Sequence, residues 1–107
     1  MTGAVRVLVY AVVPDSGGPD SDGSAVEDAY HRISRALRGT PGLLGNELLR
    51  SVRDPRGFIV MSEWESLAAF GAWEAGPSHR AATAPLRLLQ DGARHVPFEI
   101  YEVRAAY

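Results

Sequence analysis

Phe58 to Trp73, FIVMSEWESLAAFGAW, is the stretch whose reading decides the fold. Its first residues, Phe58, Ile59, Val60 and Met61, are an apolar run of β-forming side chains, which predicts a buried strand. The pattern changes at Trp64-Glu65-Ser66. Ser66 suits a helix N-cap, because its hydroxyl can accept from an orphan backbone N–H, and Leu67, Phe70 and Trp73 then recur at helical spacing. A strand that delivers a tryptophan at its end and turns directly into an aromatic-faced helix builds one wall of a pocket.

Upstream, Asp54-Pro55-Arg56-Gly57 is a strong turn signal. It joins a strand over Leu43 to Arg53 to the one that starts at Phe58, as an antiparallel hairpin. Thr40-Pro41-Gly42 turns the chain into that hairpin from a helix. Ser24-Ala25-Val26-Glu27 has the form of a capping box, and the helix it opens runs to Arg38 and stops at Gly39. Val26, Ala29, Tyr30, Ile33, Ala36 and Leu37 make one apolar stripe along it, while Arg32, Arg35 and Arg38 face water and suit the helix C-terminus. A solvated face explains those arginines better than a phosphate patch does.

Asp15 to Gly23 is rich in Gly, Pro, Asp and Ser and predicts a flexible surface loop over about 14–24. Gly17-Gly18 within it has acidic neighbours and no following P-loop lysine, so phosphate binding there is a weak reading. Before the loop, Val5 to Val13 predicts a strand that Pro14 ends. Val5, Val7, Val9, Ala11 and Val13 fall on one of its faces and Arg6, Leu8, Tyr10 and Val12 on the other, so both sides are expected to be covered.

Downstream of Trp73, Gly76-Pro77-Ser78 interrupts the helix and restarts it. His79 to Gly92 is helical in tendency, with Ala82, Leu86 and Leu89 spaced for burial and Pro85 expected to kink or split it. Val96 to Arg104 is the last strand, with Val96, Phe98 and Ile100 on one face and Glu99, Tyr101 and Val103 on the other.

The order β-α-β-β-α-β is the ferredoxin-like plan, an α+β fold with a four-stranded antiparallel sheet and helices on one face only. Strands ~4.8 Å apart and ~20 Å long give such a sheet a bare face of roughly 400 Å². That is as large an apolar patch as monomers ordinarily expose. The sequence therefore predicts a homodimer in which two sheets pack into a dimeric α/β barrel, with a ligand as the other possible cover.

The 107 residues fit one domain, residues 1–107, and 46% apolar with 22% charged residues is ordinary for a soluble globular chain. A net charge of −2 gives no basic footprint, which argues against a nucleic-acid partner. The absence of cysteine removes disulfides, thiolate nucleophiles and cysteine-based metal sites together. The opening MTGAVRVLVYAVV is too short an apolar run for a membrane span and lacks a signal-peptide layout, which predicts a cytoplasmic protein without membrane attachment.

These residues resemble the antibiotic biosynthesis monooxygenase family of the dimeric α/β-barrel superfamily. The resemblance rests on Pro41-Gly42-Leu43-Leu44-Gly45 entering the second strand, on Glu63-Trp64-Glu65-Ser66 with Phe70 and Trp73, and on Gly76-Pro77-Ser78-His79. Members of that family include small oxygenases that convert phenolic polyketides to quinones without metal or flavin, haem-degrading oxygenases and quinol oxygenases. Trp64 matches the tryptophan that lines the pocket of the quinone-forming members, whereas their asparagine four residues earlier is Val60 here and their tyrosine six residues later is Phe70. Their arginine on the following helix has no equivalent in register, with Arg80 and Arg87 nearby. Trp73 matches a tryptophan of the haem-degrading members, but the axial histidine ten residues on is Thr83, and their strand-one asparagine is missing from Val7-Leu8-Val9-Tyr10. The resemblance thus implies a cofactor-independent monooxygenase acting on an aromatic polyketide or phenolic metabolite, and disfavours haem degradation.

Cofactor-free oxygenation asks a protein to favour a phenolate and to keep water from a reactive intermediate. Trp64, Phe70, Trp73 and Tyr10 are the candidate walls for a planar ring system. His79 is the candidate base, histidine being the side chain that changes charge near neutral pH, and Arg80 or Arg87 is the candidate partner of the anion. Plain core packing competes with these roles for Trp64, Phe70 and Trp73, and exposure in a first helical turn competes for His79. His31 and His95 read as surface residues, and without HxxxH or HxH spacing no metal is expected. No G-x-S-x-G elbow is present. Glu47, Glu63 and Glu99 lie within strands, and one directed into the cavity would favour a polyketide cyclase or isomerase working by proton transfer. A non-catalytic dimer that binds a small hydrophobic ligand is the third possibility.

Overall fold

A computed structural model describes residues 3–13, 23–92, 96 and 98–107. The predicted loop as far as residue 22, with Pro14 and Gly17-Gly18, and His95 lie outside the described residues. Seven elements follow one another: β1 (Val5–Val12), α1 (Ser24–Leu37), β2 (Leu43–Arg50), β3 (Gly57–Trp64), α2 (Leu67–Ala75), α3 (His79–Arg87) and β4 (Phe98–Glu102). The strands form one antiparallel sheet in the order β2-β3-β1-β4. This is the expected ferredoxin-like plan, with the second helix of the motif divided in two.

Register fixes which side chains share a face, because directly opposed residues point the same way. Val5, Val7, Val9 and Ala11 of β1 oppose Trp64, Ser62, Val60 and Phe58 of β3. Asn46 and Leu48 of β2 oppose Ser62 and Val60, and Phe98 of β4 opposes Val9. These residues face the helices. Val26, Ala29, Ile33 and Leu37 of α1 and Ala82 and Leu86 of α3 are buried against that face. The apolar stripe predicted for α1 holds except at Ala36, which is exposed, and Tyr30, which is half-buried.

Several boundaries differ from expectation for local reasons. Gly23, not a side-chain cap on Ser24, occupies the N-cap of α1 at φ 94°, and a Cβ there would press on the Phe58 ring at 2.9 Å. The capping box is therefore not formed, and Ser24 is the first helical residue. Strand β2 stops at Arg50 rather than Arg53, because the hairpin closes earlier, with Ser51 N–H donating to the Gly57 carbonyl at 2.9 Å. Pro85 does not split α3. The helix ends at Arg87, short of the expected Gly92, and the chain then lies along the end of β1. There the Val12 N–H donates to the Leu89 carbonyl at 2.8 Å and the Asp91 N–H to the Tyr10 carbonyl at 3.0 Å. Those bonds occupy the edge of β1 beyond Val9, where its pairing with β4 stops. The last strand spans Phe98–Glu102, shorter at both ends than expected.

Gly42 ties the hairpin to the helical layer. Its φ is +83°, its carbonyl accepts from the Glu65 N–H at 2.8 Å, and a Cβ at this position would collide with the Cβ of Ala69 in α2. Gly39 has the same φ, but a Cβ there would meet nothing within 4 Å. The left-handed conformation costs an ordinary residue roughly 1–2 kcal/mol, and forced overpacking adds about 1–3 kcal/mol. Gly39→Ala is thus expected to lower unfolding free energy by about 1 kcal/mol and Gly42→Ala by about 2–4 kcal/mol. Urea denaturation of the two variants measures the difference, and equal losses would contradict the close approach of Gly42 to α2.

Candidate functional site

Trp64 is the last residue of β3, and its side chain is 0% exposed. Ser66 caps α2 as the sequence predicts, its hydroxyl accepting from the Ala69 N–H at 3.0 Å. The cap turns the chain so tightly that Phe70 and Trp73 come back over Trp64. Ring centroids lie 5.5 Å apart for Trp64 and Phe70, edge to face, and 5.3 Å for Trp64 and Trp73, tilted by 31°. Both fall in the range where aromatic pairs attract beyond simple burial. The buried indole N–H of Trp64 donates to the Ser62 hydroxyl at 2.9 Å, so the tryptophan carries no unsatisfied donor into the core.

Between the helix-facing side of the sheet and the three helices lies a partly open, largely apolar chamber of about 200 Å³. Val7, Val9, Val60 and Phe98 give it an apolar floor, and Ile33, Leu37 and Leu86 close it from α1 and α3. Asn46 and Ser62 add polar groups to the floor. The helices contribute Ser34, Glu74, His79, Thr83 and Arg87.

Of the residues singled out in the sequence, the fold brings Trp64, Phe70, Trp73, His79 and Arg87 together around this chamber. Trp64 is a wall without accessible surface, so a ligand would touch Trp73 and not the indole beneath it. His79 is the first residue of α3 and sets its ring edge-on to Trp73, with centroids 4.7 Å apart and planes at 87°. Among the described residues its imidazole makes no hydrogen bond, which leaves both ring nitrogens available to a ligand. Arg87 folds back along α3, donating to the Thr83 hydroxyl at 3.0 Å and to the Arg80 carbonyl.

The remaining expectations fall elsewhere. The Arg80 side chain is exposed and does not line the chamber. Tyr10 lies on the opposite face of the sheet, opposed to Ile59, with its hydroxyl donating to Glu99 at 2.6 Å. Glu47, Glu63 and Glu99 share that far face, opposed to Met61, Arg6 and Leu8. No strand carboxylate therefore enters the chamber, and Glu74 of α2 is the carboxylate that lines it. Glu74, Ser34, Asn46, Ser62 and Gln90 are polar lining residues to which the sequence reading gave no role in the chamber. Two of them were accessible in principle, since counting outward from the hairpin turn sets Asn46 opposite Ser62, on the face that Trp64 marks. Among the described residues no three His, Cys, Asp or Glu gather as a metal site, and no helix is long and apolar enough to cross a membrane.

The sequence model of the antibiotic biosynthesis monooxygenase family matches residues 18–85. A mycobilin-producing heme oxygenase of Mycobacterium tuberculosis is 34% identical over 89 residues, covering 82% of this chain and 80% of that one. SchA of Streptomyces halstedii is 31% identical over 81 residues, covering 74% of this chain. This chain spans only 21% of the length of SchA. Among solved structures, SnoaB, a cofactor-independent oxygenase from Streptomyces nogalater, superposes with a TM-score of 0.68, covering 97% of this chain and 93% of that one. At 20% identity this last likeness shows the fold alone.

The junction geometry assigns Trp64 a supporting role with a measurable size. Trp64→Ala is expected to cost about 3–5 kcal/mol of unfolding free energy, the usual loss for a large buried aromatic. Ser62→Ala, which leaves a buried indole N–H without its acceptor, is expected to cost about 1–3 kcal/mol. Trp73→Ala, at a half-buried position beside the chamber, is expected to cost less than Trp64→Ala. Equal losses for the two tryptophans in urea titrations would contradict the layered arrangement.

Proposed function

This chain belongs to the antibiotic biosynthesis monooxygenase family, and on that premise we propose that it is a cofactor-independent monooxygenase of planar phenolic or polyketide-type aromatics. The observation that carries this reading is an aromatic-walled chamber with an unengaged imidazole, His79, on its helical side. A cavity of about 150 Å³ accepts a benzene ring. A chamber of about 200 Å³, open on one side, therefore suits a small fused-ring system whose far end projects through the mouth.

In this reading His79 takes the proton from a substrate phenol, and the phenolate passes one electron to dioxygen. The radical pair combines at a ring carbon that shares the unpaired spin and bears one hydrogen, the peroxide takes the proton back from His79, and the resulting hydroperoxide loses water to leave a carbonyl. One oxygen atom of dioxygen enters the product and the other leaves as water, so the balance needs no further reductant. Trp73 stacks on the rings with the nearly buried Phe70 behind it, and the apolar floor keeps bulk water from the intermediate. The guanidinium of Arg87 supplies positive charge beside the chamber for the phenolate.

We also propose that a second copy covers the far face of the sheet. Leu8, Val12, Ile59 and Met61 are only partly covered there, and Leu49 and Tyr101 are 42% and 50% exposed. Light scattering at micromolar concentration is expected to give twice the chain mass, and a monomer would overturn this proposal.

Haem as substrate is the second reading, favoured by the 34% identity to the mycobacterial heme oxygenase. His79, one helical turn before Thr83, is the imidazole of the lining that could reach an iron. The chamber is small for a porphyrin, which supports the first reading. With an anthrone as substrate, oxygen uptake above the spontaneous rate is expected, and His79→Ala is expected to lower kcat/KM about 10²- to 10⁴-fold. Uptake at the spontaneous rate contradicts the monooxygenase reading. Turnover without dioxygen would instead support proton-transfer chemistry, and a hemin Soret shift abolished by His79→Ala would support haem.

A further inference from the structure

Asn46 and Ser62 are opposed across the β2–β3 pair, which places their Cβ atoms about 5 Å apart on the chamber floor. The Asn46 side-chain oxygen is held twice from α1, by the Tyr30 hydroxyl at 2.6 Å and the Ser34 hydroxyl at 3.1 Å. A separation of 2.6 Å belongs to an O–H···O bond, since N–H···O bonds centre nearer 2.9 Å. The amide oxygen therefore faces Tyr30, and the amide plane is fixed before any ligand arrives. Trigonal geometry then turns the Nδ2 amino group away from those hydroxyls.

Ser62 is oriented in a comparable way. Its oxygen accepts the Trp64 indole N–H, which leaves its own hydroxyl proton to donate. Among the described residues, neither the Asn46 amino group nor the Ser62 proton has an acceptor. Both residues line the chamber, in an otherwise apolar floor where an unmatched donor favours a ligand that supplies an acceptor.

We propose that Asn46 Nδ2 and Ser62 Oγ form a two-donor site that binds a carbonyl or phenolate oxygen of the ligand at the sheet floor. The proposal rests on the reading of the chamber as an aromatic-binding site and adds the placement of the ligand oxygen. It narrows the ligand class to rings that carry an acceptor oxygen on the edge turned toward β2 and β3. An acidic proton elsewhere on the ring is left to His79, which comes from α3.

Xanthone and xanthene differ only in a ring carbonyl replaced by a methylene, and xanthone accepts hydrogen bonds without donating any at that position. Their affinities, read from quenching of tryptophan fluorescence, are expected to differ by about tenfold in favour of xanthone for the native protein. Asn46→Asp keeps oxygens that accept from Tyr30 and Ser34 but has no N–H, and Asn46→Ala removes the donor without adding charge. In both variants, which leave only the Ser62 donor, xanthone affinity is expected to fall toward that of xanthene, whose own affinity stays unchanged. The ratio of the two affinities does not depend on how much protein is folded. An undiminished ratio in either variant, or native protein that binds both compounds equally, overturns the two-donor site and leaves the aromatic chamber standing. Native protein that binds neither compound overturns the aromatic-binding reading, and the donor site with it.

Discussion

A tryptophan with no exposed surface, set where β3 becomes α2, is the constraint on which the rest of this structure depends. Burying an indole is favourable only if its N–H finds an acceptor, and Ser62, two residues back on the same face of β3, supplies one. With that bond made, Trp64 becomes a fixed platform for Phe70 and Trp73. Ser66 starts α2 at the one place from which both rings can reach it. Trp73 in turn sets the edge of His79, so the first side chain of α3 is positioned by contacts that lead back to a strand end. Each aromatic pair adds about 0.5–1.5 kcal/mol beyond burial, enough in sum to hold a short helix that could not stand alone.

The sheet divides its polar chemistry between two faces. On the far face Arg6 lies 3.8 Å from Glu63, and Glu99 accepts from Tyr10. A partly exposed ion pair of this kind contributes little to stability. The strand side chains that line the chamber include no carboxylate, and their polar groups, on Asn46 and Ser62, are neutral, each held through its oxygen and free to donate. That distribution suits recognition of a neutral or anionic oxygen in an apolar setting. It leaves His79 and Glu74, both on helices, as the groups able to move a proton there.

What could be read from the sequence divides along the same line. The junction was legible because strand, cap and aromatic helix are contiguous, so local spacing alone placed Trp64, Phe70, Trp73 and His79. The element order followed from turn chemistry and capping, with errors only at boundaries decided by tertiary contacts. One was the cap of α1, where the Phe58 ring leaves room only for Gly23. Tyr10 was misassigned to the chamber for a different reason. Strand β1 is apolar on both faces, so its alternation cannot say which face the helices cover. Asn46 and Ser34 escaped notice because they meet only when a strand and a helix pack, and their significance lies in shared hydrogen bonds, not in residue type.

The proposed function puts the ligand between helices and sheet. A crystal structure grown with a hydroxyanthraquinone tests that placement most directly. The account predicts the ring plane against Trp73, one oxygen within hydrogen-bonding distance of Asn46 Nδ2 and Ser62 Oγ, and His79 beside a ring hydroxyl. A ligand seated on the far face among Leu8, Met61 and Tyr101, with the chamber closed by its own side chains, would contradict it.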